Sequence, residues 1–156
     1  MGTITTALCN TFKQELLQGV HNFSSHTFKL ALIKENPTDN YNANTTSYDN
    51  GATSLTGGNN DEHANGNGYT TAGSTLAGTT LALDTSNNVA HVTFNNVALT
   101  SATIDADGCI IYNDSATNNP AVCVIAFTGG TQSSDNGTFT VAFPSAGHNT
   151  SIIRIS

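Results

Sequence analysis

Hydrophobic side chains are sparse along this chain and gather in short runs. The densest stretch is TIDADGCIIYNDSATNNPAVCVIAF, Thr103 to Phe127. Gly108 opens one apolar run (Cys109, Ile110, Ile111, Tyr112), Asn113 to Pro120 is turn chemistry, and Ala121 to Phe127 is a second run without a polar side chain. Half-buried strands alternate apolar and polar, whereas strands apolar on both faces are covered on both. The stretch therefore reads as a central hairpin, set in the middle of a sandwich or beneath a partner chain. Ile110, Tyr112, Val122 and Val124 are its candidate packing or interface residues.

Only Thr5 to Gln18 has helical spacing. Ile4, Leu8, Phe12, Leu16 and Val20 recur every four residues, so Leu8, Phe12, Leu16 and Val20 form a second candidate packing or interface stripe. Thr3, Thr5 or Thr6 is expected to cap this helix, and Gly19 to end it in a left-handed turn. A first strand follows at Thr27 to Lys34 and stops at Asn36-Pro37. Thr38 to Gly68 is then dominated by Asn, Thr, Gly and Ser, and is expected to be an exposed surface excursion, dispensable for folding.

Further strands are expected at Thr71 to Leu76, Thr79 to Leu83, Val89 to Asn95, Thr100 to Asp105, Gly137 to Phe143 and Ser151 to Ile155. Asp84 to Asn88 and Asn136-Gly137 read as turns between them. About eight or nine short strands at this spacing predict a mainly β chain. The expected architecture is one domain over residues 1–156, an antiparallel β-sandwich of jelly-roll or related Greek-key type with one N-terminal α-helix.

Charge refines the picture. Only 10% of residues are charged, against roughly 25% in ordinary soluble proteins. The net charge of -7 and the scattered Lys13, Lys29, Lys34 and Arg154 argue against nucleic acid, which needs clustered basic residues. No run is long enough for a membrane span. Met1 to Cys9 has neither a basic start nor a long apolar run, so no secretion signal is expected. Cys9, Cys109 and Cys123 lack metal-ligand spacing and are expected to be reduced, buried and small.

Motifs that could carry chemistry fail their context. Gly66-Asn67-Gly68 lacks the lysine of a phosphate loop, and Asp105-Ala106-Asp107-Gly108 is half of a calcium loop, better read as a bend. Asp61-Glu62-His63 are consecutive, and consecutive residues rarely converge on one metal. The five histidines show no paired spacing, and no serine sits in a strained elbow. No catalytic residue, metal ligand or cofactor is expected.

Six stretches do carry a resemblance: FKQELLQGVHNF (Phe12 to Phe23), HTFKLALIK (His26 to Lys34), GYTTAG (Gly68 to Gly73), ATIDADGCIIYN (Ala102 to Asn113), NGTFTVAFP (Asn136 to Pro144) and SIIRIS (Ser151 to Ser156). They are similar to a family of small bacteriophage virion structural proteins. The resemblance implies a virion component made in the host bacterial cytoplasm, most plausibly a capsid decoration or cement protein. Its implied partners are the major capsid protein or other virion proteins, and further copies of itself as a homo-oligomer. A tail, baseplate or fibre subunit is the alternative, with a carbohydrate-binding module behind it.

Overall fold

The computed structural model describes residues 1–156. The chain is mainly β, with antiparallel sheets and one short helix. In order, the elements are β1 (Ala7–Leu8), α1 (Asn10–Leu17), β2 (Phe28–Lys34), β3 (Ser74–Thr75), β4 (Thr80–Asp84), β5 (Val89–Thr93), β6 (Val97–Asn113), β7 (Ala121–Ala126), β8 (Gln132–Val141) and β9 (Ile153–Ile155). The larger sheet runs β1-β7-β6-β2-β3 with β8 also on β6, and a three-stranded sheet runs β4-β5-β9.

The central hairpin is present. The second half of β6 pairs with β7 on one side (Ile110 with Val124) and β2 on the other (Ile110 with Ala31). What the sequence divides into a lead-in and a strand is one strand of 17 residues. Asp105-Ala106-Asp107 lies inside it, not at a bend. Ala106 marks the point where β6 exchanges β8 for β7, with Gln132 opposite it on one side and Lys34 on the other. Asn136-Gly137 is likewise not a turn. It is an irregularity within β8, where Asn136 takes φ 48° and the register against β6 slips. The DTSNN turn forms as expected, with Asp84 accepting the backbone N–H groups of Ser86 and Asn87 at 3.0 and 3.1 Å.

The helix is shorter than its stripe. Ile4 and Leu8 leave the helical repeat because residues 3–8 are extended: Ala7 and Leu8 pair with Val124 and Cys123. The run Thr3-Ile4-Thr5-Thr6 is poor in helix formers, so Thr3 and Thr5 bond the Tyr41 backbone instead, and Ala7-Leu8 takes the open edge of β7. No threonine caps the helix; Cys9 is the N-cap and gives no side-chain bond. The end is as expected. Gly19 at φ 76° lets its N–H reach the Leu16 carbonyl and the Val20 N–H reach that of Glu15. Leu17 is 91% exposed, whereas Phe12 is 1% exposed against His21 and Phe23. Phe12→Ala should therefore lower stability by about 3 kcal/mol; a melting temperature unchanged from wild type would contradict that packing.

Both faces of the hairpin are covered by the chain itself. On one face Asn113 and its neighbour Phe28 meet His21, and Phe28 stacks on Phe23 at a centroid distance of 4.4 Å and continues to Phe94. On the other, Tyr112 stacks on Tyr48 at 4.6 Å. Ile110, Tyr112, Val122 and Val124 are fully buried, so they are packing residues and present no free surface.

Tyr48 belongs to the polar stretch, and here the expectation of an exposed excursion is overturned. Tyr41, Tyr48, Leu55, Asp61 and Glu62 are all buried. The stretch is stitched down by backbone bonds. Tyr41 exchanges with Thr3 and Thr5, Tyr48 bonds Asn119, and residues 61–63 pair along the edge of β2 through Lys34 and Leu32. It is a second layer of the fold, written in polar residues.

Candidate functional site

Asp61 and Glu62 are adjacent, buried and point to different partners. The Asp61 carboxylate meets the Lys34 ammonium at 2.9 Å. It also accepts the Tyr41 hydroxyl at 2.9 Å and the backbone N–H groups of Thr38 and Asp39 at 2.9 and 2.8 Å. Burial alone would raise its pKa. The Asp39 N–H, Lys34, the Thr38 N–H and Tyr41 together outweigh that and hold it at about 2. Glu62 accepts hydroxyls from Tyr48 and Tyr69, each at 2.7 Å, and the Ala72 N–H at 2.7 Å. Tyr69 oxygen in turn accepts the Leu32 N–H at 3.1 Å.

A catalytic carboxylate keeps a lone pair facing a substrate. Both Glu62 oxygens and Asp61 Oδ2 are spent on donors of their own chain, and Asp61 Oδ1 faces the Lys34 ammonium alone. They are the anchors of residues 38–72, and the composition of that segment hides them. His63 is turned away, with Nδ1 on the Ala64 carbonyl at 2.9 Å. No group of three or more His, Cys, Asp or Glu is placed to hold a metal.

All four tyrosines of the chain, Tyr41, Tyr48, Tyr69 and Tyr112, have raised pKa values, first because of burial. Neighbouring carboxylates add to it: Asp61 for Tyr41, Glu62 for Tyr48 and Tyr69, and Asp114 for Tyr112. A folded-state pKa above the unfolded value means stability that is intact below pH about 10 and is lost as pH rises beyond it. Tyrosinate absorbance should stay flat past that pH and then rise in one step together with loss of circular dichroism. Gradual ionisation in a still-folded protein would contradict the burial of these rings.

A smaller polar knot ties the helix to the hairpin. His21 Nε2 donates to Glu15 at 2.9 Å while its Nδ1 accepts from the Asn113 amide at 3.2 Å, which fixes the neutral tautomer. Burial lowers the His21 pKa despite Glu15. The three cysteines are free and buried; burial pushes Cys9 up to about 12 and raises Cys109 and Cys123. Cys109 pairs with Ile125 and Cys123 with Ile111, so the two sit diagonally across the hairpin.

A groove of about 690 Å³ lies beside β1, β7, β8 and the segment before β9. Its floor includes Leu8, Phe127, Phe139, Val141 and Ile152, and its rim is threonine, serine and glutamine. Twenty-one residues line it, and none is Asp, Glu, Lys, Arg or His. Along this groove β8 has a free edge: its only strand partner is β6. Of the stripe read from the sequence, Leu8 lines the groove, Phe12 is core, and Leu16 and Val20 are half-buried. The groove and the open edge escape a sequence reading because the residues that line it come from five separate segments.

No helix is long and apolar enough to cross a membrane. Compared with family models, curated proteins and solved structures, the chain finds no match.

Proposed function

We propose that this chain is a bacteriophage virion structural protein, a capsid decoration or cement protein that works through protein–protein contacts and performs no chemistry. The observation that carries this reading is the uncharged groove along the open edge of β8. A surface with free backbone donors and acceptors beside apolar side chains suits another polypeptide. The resemblance of six stretches to small virion proteins supports the same assignment, with the major capsid protein or other virion proteins as partners and the virion as location. Phe139 and Val141 of the larger sheet and Val92 and Ile153 of the smaller lie in one core, and we read the two sheets as a β-sandwich of jelly-roll or related Greek-key kind.

A tail, baseplate or fibre subunit would use the same surfaces, and copy number separates the two. Protein band ratios from purified particles should place this chain near the abundance of the major capsid protein; a few copies per particle would move it to the tail. The carbohydrate-binding alternative needs exposed aromatic rings for sugar stacking. Tyr41, Tyr48 and Tyr69, the rings available for it in the sequence, are buried.

A further inference from the structure

The molecule has a second open strand. β4 pairs with β5 on one side only, and no other strand lies beyond it. Edge strands are normally blunted by lysine, proline or a bulge. β4 reads TLALD, has none of these, and presents Leu81 and Leu83 at 54% and 68% exposure. These two leucines share one face of the strand, as residues two apart must. With Ile155, they are three of the five large hydrophobic side chains that the chain leaves in water.

We propose that β4 of one copy adds, antiparallel, to the free edge of β8 of the next, with Leu81 and Leu83 entering the uncharged groove. The strand lengths and patterns match over Thr138 to Ala142, the last residues of β8 and the one after it, all of which line the groove. Setting Thr140 opposite Ala82 puts Phe139 opposite Leu83, Val141 opposite Leu81, and Thr138 opposite Asp84. Each apolar residue then meets an apolar residue on one face. The single charge, Asp84, falls at the end of the pair beside a hydroxyl, so no charge is buried in a groove that has none to answer it. Ser134 to Asn136 does not line the groove and stays out of the pair, where Asp135 and the irregular backbone at Asn136 spoil the edge. An alkyl chain would satisfy the floor of the groove but leave the peptide groups of β8 without partners. An extended strand satisfies both.

The contact joins two different surfaces, so it propagates head to tail and closes into rings or grows into filaments. It rests on the reading of the chain as an assembly module, yet it is tested without particles, so its failure leaves the copy-number result untouched.

The test is sedimentation velocity on the purified chain and on two variants, Leu81→Glu/Leu83→Glu and Thr138→Glu/Thr140→Glu. All four positions are exposed in the monomer, and circular dichroism melts check that each variant folds; should either melt early, Leu81→Ser/Leu83→Ser and Thr138→Gln/Thr140→Lys replace them. Wild type should associate with rising concentration, and each variant alone should need at least about tenfold more protein to do so. An equimolar mixture of the two variants should stop at a dimer, because it holds one intact groove and one intact β4. The proposal is overturned by a wild type that stays monomeric, by a mixture that stays monomeric, or by a groove variant that associates like wild type, which would mean β4 pairs with itself.

Discussion

Replacing Thr38 to Gly68 by a short Gly/Ser linker is expected to abolish cooperative unfolding. The segment contributes Tyr41, Tyr48 and Leu55 to the core, and each is almost wholly removed from water. Losing a buried side chain of this size costs roughly 2 to 5 kcal/mol. Three of them reach the whole stability of an ordinary domain, about 5 to 15 kcal/mol. The deletion also strips Tyr112 of the ring stacked on it, Tyr69 of its Glu62 acceptor, and the outer edge of β2 of its partners Asp61 and His63. Urea titration followed by circular dichroism should give a broad, shallow change, and a hydrophobic dye should bind without denaturant. A sharp transition with wild-type slope would mean that residues 38–68 lie on the fold without supporting it.

The sequence misleads here for a physical reason. Periodicity reports burial when a face of regular structure is apolar, and this segment has little regular structure. Its anchors are single residues (Tyr41, Tyr48, Leu55, Asp61, Glu62) separated by turn-forming Asn, Thr, Gly and Ser. One signal was available. In a chain with four tyrosines and no tryptophan, Tyr41, Tyr48 and Tyr69 all fall in or beside the stretch read as solvent-exposed, and rings of that size are rarely given to water without use. The structural role of the adjacent carboxylates has no sequence signal, because sequence cannot show which hydroxyls converge on Asp61 and Glu62.

In the strands pattern and structure agree, whereas the four-residue repeat of the helix overreaches to Ile4 and Leu8. The runs Phe28 to Lys34, Cys109 to Tyr112 and Ala121 to Ala126 are strands, and the last two are apolar on both faces because each face is covered. The covers differ from those expected. A self-associating hairpin is no longer required, since the polar layer and the Phe12, Phe23, Phe28 and Phe94 cluster close both sides. The contact proposed above lies instead at β8 and β4, whose free edges follow from topology, and no linear pattern announces them.

Asp61→Ala should be the most damaging single substitution in the polar layer, at about 4 kcal/mol. Removing this carboxylate leaves the Tyr41 hydroxyl and the N–H groups of Thr38 and Asp39 without their acceptor, and Lys34 without its counter-ion. Breaking one side of a buried charged network commonly costs about 3 to 5 kcal/mol. Lys34 softens the loss, because its side chain is 36% exposed and can turn to water. Asp61→Asn keeps an acceptor oxygen, so it should be milder than Ala. The pH dependence gives a sharper test than the magnitude. The folded pKa of about 2 lies below the ordinary 3.8, so the carboxylate's contribution is complete above pH about 4 and disappears as pH falls through about 2. The difference in unfolding free energy between wild type and Asp61→Asn should therefore shrink by about 2 kcal/mol across that window. His21 acts higher up the scale: its lowered pKa makes stability fall as pH drops below the usual 6.5, and it does so equally in both proteins, so it cancels from the comparison. A difference that stays constant down to pH about 2 would show that folding leaves the Asp61 pKa at its ordinary 3.8, so that its donors do not stabilise the carboxylate.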